Sequence, residues 1–571
     1  MRMTTPRRSR RPGIVGLAGA LIIGIGAVTP VAAHRSGGGY LTGQDEMLTP
    51  VAANARAHAL ITVGEVVGDY RFEAIPDGIA VRRGAGSTVE VFVNHETSRV
   101  AFPYVAAGPT PSNSLNDFDN SQLSRLVLSR HDGAVLDAEL AITSDDRFHR
   151  FCSNFLATRE HGFSRDILFT NEEATDFVYR AGQGPEWTQP IAAGTPNAEQ
   201  AGVVVAFDPA TGDHRPIYGM GRLNHENSVA IPGFDEILVL TGDDTFTTNP
   251  AQSQVYGYFA ESADAVWNDQ GALWGFRAKD WRTYNDYYDF TPGAGTSIEG
   301  EFVRIPADAA KGDQTALERA SDAAGVFEFV RVEDMAYDRR DPNIVYIADS
   351  GRANVANGTG VTYDASGQRI EAVATFASRN GRIWKMVLDP KDPHHVKSLS
   401  ILIEGDDIAL ATQDPSASLA AIHQPDNLET TRNSLLITED PSSANQYPVA
   451  TGNTARVWWY HLSGPKKGTR EVAFKVDQSA DQGLTDRDPT TQTPPGAVPS
   501  GFGLGNAGSW EASGIIDVSR WFGSGWFLID VQAHTLWVDV APGPDVVAPA
   551  GPDWTYKREG GQLLLVRIPG A

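Results

Sequence analysis

The sequence contains very little cysteine. Its 571 residues include one cysteine, Cys152, so an intramolecular disulfide framework and a zinc site built from several cysteines are both excluded. The chain also lacks the HExxH helix of metalloproteases, the GxSxG nucleophile elbow and the Walker P-loop. The fold must therefore be stabilised by its core or by bound metal, and its chemistry must lie in another pattern.

Basic residues are also scarce, with 47 Lys and Arg against 71 Asp and Glu and a formal net charge of −24. Proteins that coat nucleic acid need concentrated Lys and Arg, so the composition excludes DNA and RNA as partners. After residue 33 no apolar run is long enough to span a membrane, and we expect no stable membrane partner. We expect a monomer that acts on a small molecule.

The N-terminal segment is typical of an export signal. Several arginines precede an uncharged run over residues 12–33, which ends on Val31-Ala32-Ala33. This pattern predicts a signal peptide over residues 1–33, cleaved near Ala33, and the pair Arg10-Arg11 leaves both the twin-arginine and the Sec routes open. An uncleaved membrane anchor is the alternative. We expect a secreted or extracytoplasmic protein whose mature part is one domain over residues 34–571.

One pattern occurs six times along the chain. A polar loop leads into a short strand, and after a turn an apolar strand ends in an acid or amide. The loops recur at intervals of 74 to 107 residues, at Asp77, Cys152, Glu226, Glu333, Asp426 and Glu511. With 57 glycines and 34 prolines, this predicts an all-β fold, a six-bladed β-propeller with inserted loops and a few short helices. Insertions are expected near 245–320 and 478–509.

The acids of these repeats would converge at the propeller axis. Carboxylates are hard ligands, suited to Ca²⁺, Mg²⁺ and, in carboxylate-rich sets, ferric iron. Like charges a few ångströms apart raise one another's pKa, so such a ring would need cations. Acids that cap turns at strand ends are the alternative. The candidate ligands are Glu96, Glu172, Glu173, Glu226, Asp243, Glu333, Asp349, Asp426, Asp440 and Glu511.

Two short motifs add candidate catalytic residues. Arg331 and Glu333 are two residues apart on a predicted strand and would face one site, with Asp334 next to them. Arg331 could bind phosphate bidentately while Glu333 holds a metal, although a surface salt bridge is equally open. His225 is a candidate for orientation or proton transfer, or for a turn-forming hydrogen bond. Cys152 is more typical of a buried apolar residue.

The motifs follow one another in a characteristic order. After the export signal come Asn-His-Glu at 94–96, an xEE element at 171–173, GRxxHE at 221–226, RxED at 331–334, PDN at 425–427, TED at 438–440 and WFLIDVQAH at 526–534. In this order the chain resembles the PhoX-type alkaline phosphatases from about Gly64 to its C-terminus.

The resemblance implies a secreted six-bladed propeller that hydrolyses small phosphate monoesters at a central cluster of Ca²⁺ and ferric iron. It implies that Glu226 and Glu333 ligate metal and that Arg331 binds the substrate phosphate, with the other acids completing the shell. Asn171 stands where the family's CEE element has a cysteine, which favours calcium over iron. Asn171 and Asp334 are also candidate metal ligands. Cys152 lies in an earlier loop that resembles the family's CSG, so we do not expect it to replace that ligand.

Two other functions stay open at this point. One is a calcium-dependent lactonase or carboxylic esterase, since other six-bladed propellers have such activities. The other is a secreted, calcium-stabilised propeller that binds a partner or polysaccharide and has lost catalysis, which the departure at Asn171 favours.

Overall fold

A computed structural model describes most of the chain. The described residues are 38–98, 121–187, 189–246, 251–352, 378, 380–406, 420–441, 453–478, 510–533 and 560–571, with short strands at 362–363, 369–371, 538–539 and 556–557. The predicted signal peptide and nearly all of the predicted loop over 478–509 lie outside them, so the export predictions stay predictions. None of the described helices is both long and apolar enough to cross a membrane.

Most regular structure is antiparallel β-strand, and the first elements are short. Two early strands join sheets formed much later in the chain, and the next two pair as a hairpin. These strands are β1 Leu48–Pro50, β2 Arg56–Thr62, β3 Val66–Val67 and β4 Tyr70–Arg71. A four-stranded sheet follows, with β5 Pro76–Arg83, β6 Thr88–His95, β7 Gln122–Ser129 and β8 Val135–Ile142.

The second four-stranded sheet contains a small inserted hairpin. Its strands and the hairpin are, in chain order, β9 Phe151–Ala157, β10 Ile167–Glu172, the hairpin β11 Phe177–Val178 and β12 Glu199–Gln200, then β13 Val204–Phe207 and β14 His214–Ile217.

A nine-stranded sheet comes next. In chain order its region contains β15 His225–Ile231, β16 Ile237–Asp243, β17 Val255–Ala260, β18 Ala272–Ala278, β19 Ser297–Arg304, β20 Val332–Tyr337, β21 Ile344–Asp349, a separate hairpin of β22 Thr362–Tyr363 and β23 Arg369–Glu371, and then β24 Arg382–Asp389 and β25 Asp392–Glu404. The strands β15 and β20 form its two edges, and β19 joins the halves by pairing with both β18 and β25.

The last two sheets include the early strands. One has β26 Pro425–Thr430, β27 Ser434–Glu439, β28 Arg456–His461 and β29 Arg470–Val476, with β1 at its edge; the other has β30 Glu511–Asp517, β31 Trp526–Ala533 and β34 Gly560–Arg567, with β2 at its edge. A hairpin of β32 Val538–Asp539 and β33 Tyr556–Lys557 is separate. Both ends of the described chain are therefore tied into the same sheets.

The described part of the chain contains four α-helices, and all of them are short. They are α1 Ala263–Trp267, α2 Ala307–Ala310, α3 Gln314–Ala324 and α4 Ser519–Phe522. The helix α3 begins where the Asp313 side chain accepts from the backbone N–H of Ala316, and it ends at Gly325 in the left-handed region. The predicted insertion near 245–320 contains fewer inserted residues than expected, because β17 and β18 within it are ordinary strands of the nine-stranded sheet.

Edge strands of the sheets pack side by side in a closed ring, and we call them the first strands. Strand β5 packs beside β9, β9 beside β15, β15 beside β20, β20 beside β26, β26 beside β30, and β30 beside β5. The sheets therefore radiate from a common axis, and their facing surfaces bury the apolar clusters between them. The mostly-β class and a propeller-like arrangement confirm that part of the prediction, and the count of six blades stays a prediction.

Each strand of this ring carries the same irregularity. Two residues of the strand lie opposite one residue of its partner. This gives a β-bulge at Asp77-Gly78, Cys152-Ser153, Glu226-Asn227, Glu333-Asp334, Asp426-Asn427 and Ser513-Gly514. Bulges re-aim side chains beside functional sites. The second residue of every pair lines a cavity of about 260 Å³ at one end of the ring. The first residues meet one another in the cluster described below.

His161 is a buried histidine beside that cavity. Its Nδ1 accepts from the backbone N–H of Thr158 at 3.0 Å, and its Nε2 lies 3.0 Å from the hydroxyl of Tyr337. Burial, and then the nearby charge of Arg339, lower the pKa of His161 to about 4. The unfolded chain therefore binds a proton near pH 6 that the folded chain does not, and His161 destabilises the fold as the pH falls below 6.5.

We expect His161→Gln to reduce the pH dependence of stability. From pH 7 to pH 5 the free energy of urea unfolding should fall by about 2 kcal/mol less in this variant than in the wild type. The same change at the exposed His131 is the control and should leave the pH dependence as in the wild type. Equal pH dependence in the wild type and His161→Gln would contradict the assignment.

Candidate metal centre

The first residues of the bulges bring their side chains together. The Sγ atom of Cys152 lies 2.6 Å from Oδ2 of Asp77 and 2.6 Å from Oε1 of Glu226, so the thiol joins three neighbouring strands. The hydroxyl of Ser513, from the last strand of the ring, donates to Oδ1 of Asp77 at 2.5 Å. The bulges thus turn side chains from separate sheets toward one point.

Three overlapping groups of donor atoms are close enough to share a cation. They are Asp77 with Glu96 and Cys152, Cys152 with Glu173 and Glu226, and Glu226 with Asp244 and Glu333, each with its donor atoms within 4.8 Å of one another. Because Cys152 belongs to the first two groups and Glu226 to the last two, the groups form one continuous row. We call this row the carboxylate–thiol row.

The electrostatics of the row favour bound cations. Burial, and then repulsion from Glu333 and Glu173, raise the pKa of Glu226 well above its ordinary value. Burial, followed by repulsion from Asp77 and Glu226, raises the pKa of the Cys152 thiol in the same way. Positive ions would reverse both shifts, because they stabilise carboxylate and thiolate. The donor set therefore fits a metal cluster.

Arg331 is a buried cation at one end of the row. Its Nε and Nη2 donate to Oδ1 and Oδ2 of Asp244, both at 2.8 Å, and its Nη2 lies 2.7 Å from Oε1 of Glu333. Its guanidinium carbon lies 4.7 Å from the centre of the Phe246 ring. The structure therefore brings Arg331 and Glu333 to one site, as their spacing predicted.

Acids from the last two sheets approach the same region. Burial and repulsion from Asp440 raise the pKa of Glu511, and burial and repulsion from Glu511 raise the pKa of Asp426. Asp440 lies 4.0 Å from Nη2 of Arg331. Of the candidate ligands from the sequence, the structure thus brings together Glu96, Glu173, Glu226, Glu333, Asp426, Asp440 and Glu511.

Glu172 is directed elsewhere. Its two carboxylate oxygens accept from Nη1 and Nη2 of Arg180, both at 2.7 Å, and the backbone N–H of His149 donates to it at 2.8 Å. The Glu172 carboxylate therefore forms a buried structural ion pair with Arg180. Of the adjacent pair, Glu173 is the member that belongs to the row.

Asn171 and Cys152 have different surroundings in the structure. The Asn171 amide donates to the carbonyl oxygen of Ser153 at 2.8 Å and accepts from the Ser228 hydroxyl at 2.7 Å, so it links neighbouring strands. We did not expect Cys152 to replace the family's cysteine ligand, and its sulfur belongs to two of the three donor groups. A thiol therefore lies among the carboxylates of the row, although Asn171 is the first residue of the xEE element.

Asp243 and Asp334 face away from the row for reasons of strand geometry. Asp243 accepts from the Thr245 hydroxyl at 2.7 Å, and burial followed by repulsion from Asp243 raises the pKa of Glu318 on α3. Asp334 accepts from the backbone N–H groups of Met335 and Leu428, both at 2.6 Å. As the second residue of its bulge, it faces the cavity at the other end of the ring.

Both nitrogens of the His225 ring have partners within the fold. Its Nδ1 lies 2.8 Å from the Thr241 hydroxyl and its Nε2 lies 3.1 Å from the carbonyl oxygen of Gly221. Burial lowers the pKa of His225 to about 4. With both ring nitrogens engaged in the fold, the geometry disfavours the predicted role in proton transfer.

Asp77, Cys152 and Asp244 are the site residues that we did not select from the sequence. Asp77 and Cys152 already stood at the start of their repeats, so their alignment with Glu226 and Glu333 was an available signal. Asp244 directly follows Asp243, and no local pattern distinguishes which of the two faces the axis.

Comparisons with known proteins add little. No family model matches the chain, and no curated protein matches its sequence. One similar structure is a Bacteroides fragilis protein assigned provisionally as a 6-phosphogluconolactonase, with 10% identity and a TM-score of 0.22 over 69% of this chain and 97% of that one. Another is the tricorn protease, with 9% identity and a TM-score of 0.13 over 70% of this chain and 45% of that one. Similarities this weak carry no argument about function.

The same substitution at the neighbours Glu172 and Glu173 should lower stability by very different amounts. In metal-free protein we expect Glu172→Gln to lower the free energy of unfolding by about 3 kcal/mol, because Arg180 loses its bidentate partner in a buried site. Glu173→Gln should cost less than about 1 kcal/mol, because it removes a repelled carboxyl. Urea denaturation in chelator measures both, and a larger loss for Glu173→Gln would contradict the assignment.

Calcium should stabilise the chelator-treated protein, and Glu226 should matter most for it. At about 100 times its Kd, Ca²⁺ should add about 2.7 kcal/mol to the free energy of unfolding. Since Glu226 belongs to two donor groups, Glu226→Gln should lose most of this gain. Glu301→Gln, at a half-buried position on β19, is the control and should keep it. A full calcium effect in Glu226→Gln would exclude the row as the binding site.

Proposed function

We propose that the protein is a six-bladed β-propeller whose channel holds a metal-dependent phosphomonoesterase site. The blade count rests on the closed ring of first strands and on the matching bulge in each of them. On this interpretation the nine-stranded sheet is two blades joined at their outer strands through β19.

One observation carries the proposal: a buried guanidinium adjoins a row of cation-binding side chains. Arg331 is only 3% exposed and shares Glu333 and Asp244 with the last donor group. A phosphate monoester dianion needs both kinds of partner, a guanidinium fork for its oxygens and cations for its charge. This combination favours phosphate chemistry inside a protein whose net charge is strongly negative.

The donors of the row suit two kinds of metal. Asp77, Glu96, Glu173, Glu226 and Glu333 offer carboxylate oxygens, which suit Ca²⁺. The thiolate of Cys152 suits a softer ion and, with carboxylates around it, ferric iron. We therefore propose Ca²⁺ and Fe³⁺ as cofactors. Bound there, they would neutralise the phosphate and activate an oxygen nucleophile.

The protein's own groups would bind and orient the substrate. Arg331 can exchange a carboxylate for a phosphate because both present two oxygens to the guanidinium fork. Before that exchange, Asp244 and Glu333 fix the direction of the fork. In hydrolysis the oxygen of water forms the new bond to phosphorus, the ester P–O bond breaks, and the alcohol leaves with a proton. The substrate would be a small phosphorylated molecule, and secretion is proposed from the N-terminal sequence.

Removing the fork at Arg331 should abolish most of the activity. In metal-replete protein we expect Arg331→Gln to lower kcat/KM for p-nitrophenyl phosphate by about 100-fold or more, and Arg331→Lys to restore little of it, because an ammonium cannot make a bidentate contact. Arg277→Gln, which removes an outer-strand ion pair with Glu301, is the matched control and should change kcat/KM less than about twofold.

Assaying a lactone alongside the phosphate ester distinguishes the proposed phosphatase from the two alternative functions. Turnover of lactone without turnover of phosphomonoester would replace the proposal with a lactonase. Calcium stabilisation without turnover of either compound would identify a binding propeller. Undiminished phosphatase activity in Arg331→Gln would remove Arg331 from the site.

A further inference from the structure

A second arginine lies beside the proposed phosphate site. Arg352 follows the end of β21, and its guanidinium carbon lies 5.3 Å from the centre of the Phe246 ring. Its Nη1 donates to the carbonyl oxygen of Phe246 at 2.6 Å, and its backbone N–H donates to the carbonyl oxygen of Ser378. Both the backbone and the side chain are therefore held in place.

Phe246 connects this arginine to Arg331. The two guanidinium groups contact the same ring, Arg331 at 4.7 Å and Arg352 at 5.3 Å. Arg331 is buried, Arg352 is half-buried, and the Phe246 side chain is 38% exposed. The ring thus has a cation on the buried side of the site and another toward solvent.

Arg352 differs from Arg331 in the partners of its guanidinium group. Within the described residues, no carboxylate lies within ion-pair distance of its guanidinium, whereas Arg331 has Asp244 and Glu333. Burial and the charge of Arg331 lower the pKa of Arg352, while the more distant Asp244 opposes this. Two neighbouring cations, one of which has no carboxylate partner among the described residues, form a site suited to an anion.

We propose that Arg352 binds a second anionic group of the substrate, on the alcohol side of the ester. The inference rests on the proposed function, in which Arg331 holds the phosphate that is cleaved. The favoured substrates would be small phosphomonoesters whose alcohol part carries a carboxylate or a further phosphate. Phe246 separates the two cations, so such a molecule would contact one arginine at each end and the ring between them.

A matched pair of substrates tests this assignment. Phenyl phosphate and 4-carboxyphenyl phosphate differ by one carboxylate, so their ratio of kcat/KM isolates the second anion. We expect the wild type to favour the carboxylated ester and Arg352→Gln to lower the ratio by about tenfold, as for a lost charge-assisted hydrogen bond. Arg352→Lys should retain part of the preference, and Arg277→Gln should keep all of it. An unchanged ratio in Arg352→Gln would overturn the proposal.

Binding measurements keep this test separate from the proposed activity. Phenylphosphonate and 4-carboxyphenylphosphonate are not hydrolysed, and calorimetry gives their Kd values for metal-replete wild type and Arg352→Gln. If the wild type turns over neither ester, the proposed function fails, yet a preference for the carboxylated phosphonate that is lost in Arg352→Gln would still support the role of Arg352. Equal affinities for the two phosphonates in the wild type would overturn it.

Discussion

Repulsion between buried acidic side chains around the ring axis is the constraint on which the rest of the site depends. Glu226 has acids on either side of it, Glu173 toward Cys152 and Glu333 toward Arg331. In a poorly solvated channel such groups either hold protons or need compensating positive charge. Arg331 compensates one end of the row through Asp244 and Glu333. The other end, around Cys152 and Asp77, is where bound cations would contribute most.

The repeated bulge is the structural device that creates this crowding. In a regular strand, successive side chains alternate between the two faces of a sheet and would pack into the clusters between blades. At the bulge two residues lie opposite one residue of the partner strand, which frees two side chains per strand from that alternation. The first, such as Glu333, joins the row, and the second, such as Asp334, turns to the opposite cavity and binds backbone N–H groups. The two ends of the ring thereby acquire different chemistry.

The same architecture explains how an acidic protein can present cations to an anion. A net charge of −24 is spread over the chain, but field strength at the site depends on groups within a few ångströms. There Arg331 and Arg352 share the ring of Phe246. Local charge, and not net charge, therefore decides which ligand the channel favours.

By itself, the sequence determined the class of fold and the residue types of the site. The repeated loops, the short β-branched strands and the acid after each of them predicted an all-β, propeller-like protein with carboxylates near its axis. The spacing of Arg331 and Glu333 predicted one shared site, and the two side chains form an ion pair, although Arg331 precedes β20 and Glu333 lies in its bulge. These inferences succeeded because strand alternation and turn chemistry are local properties.

Only the tertiary structure decided which acids are used. Glu172 and Glu173 are adjacent and chemically identical, yet one pairs with Arg180 and the other joins the row. Cys152 looked apolar from its sequence, and its place beside Asp77 and Glu226 depends on strands that are distant in the chain. Register slips and contacts between sheets set these outcomes. A side chain's neighbours across the axis come from other sheets, so the sequence around that side chain does not indicate them.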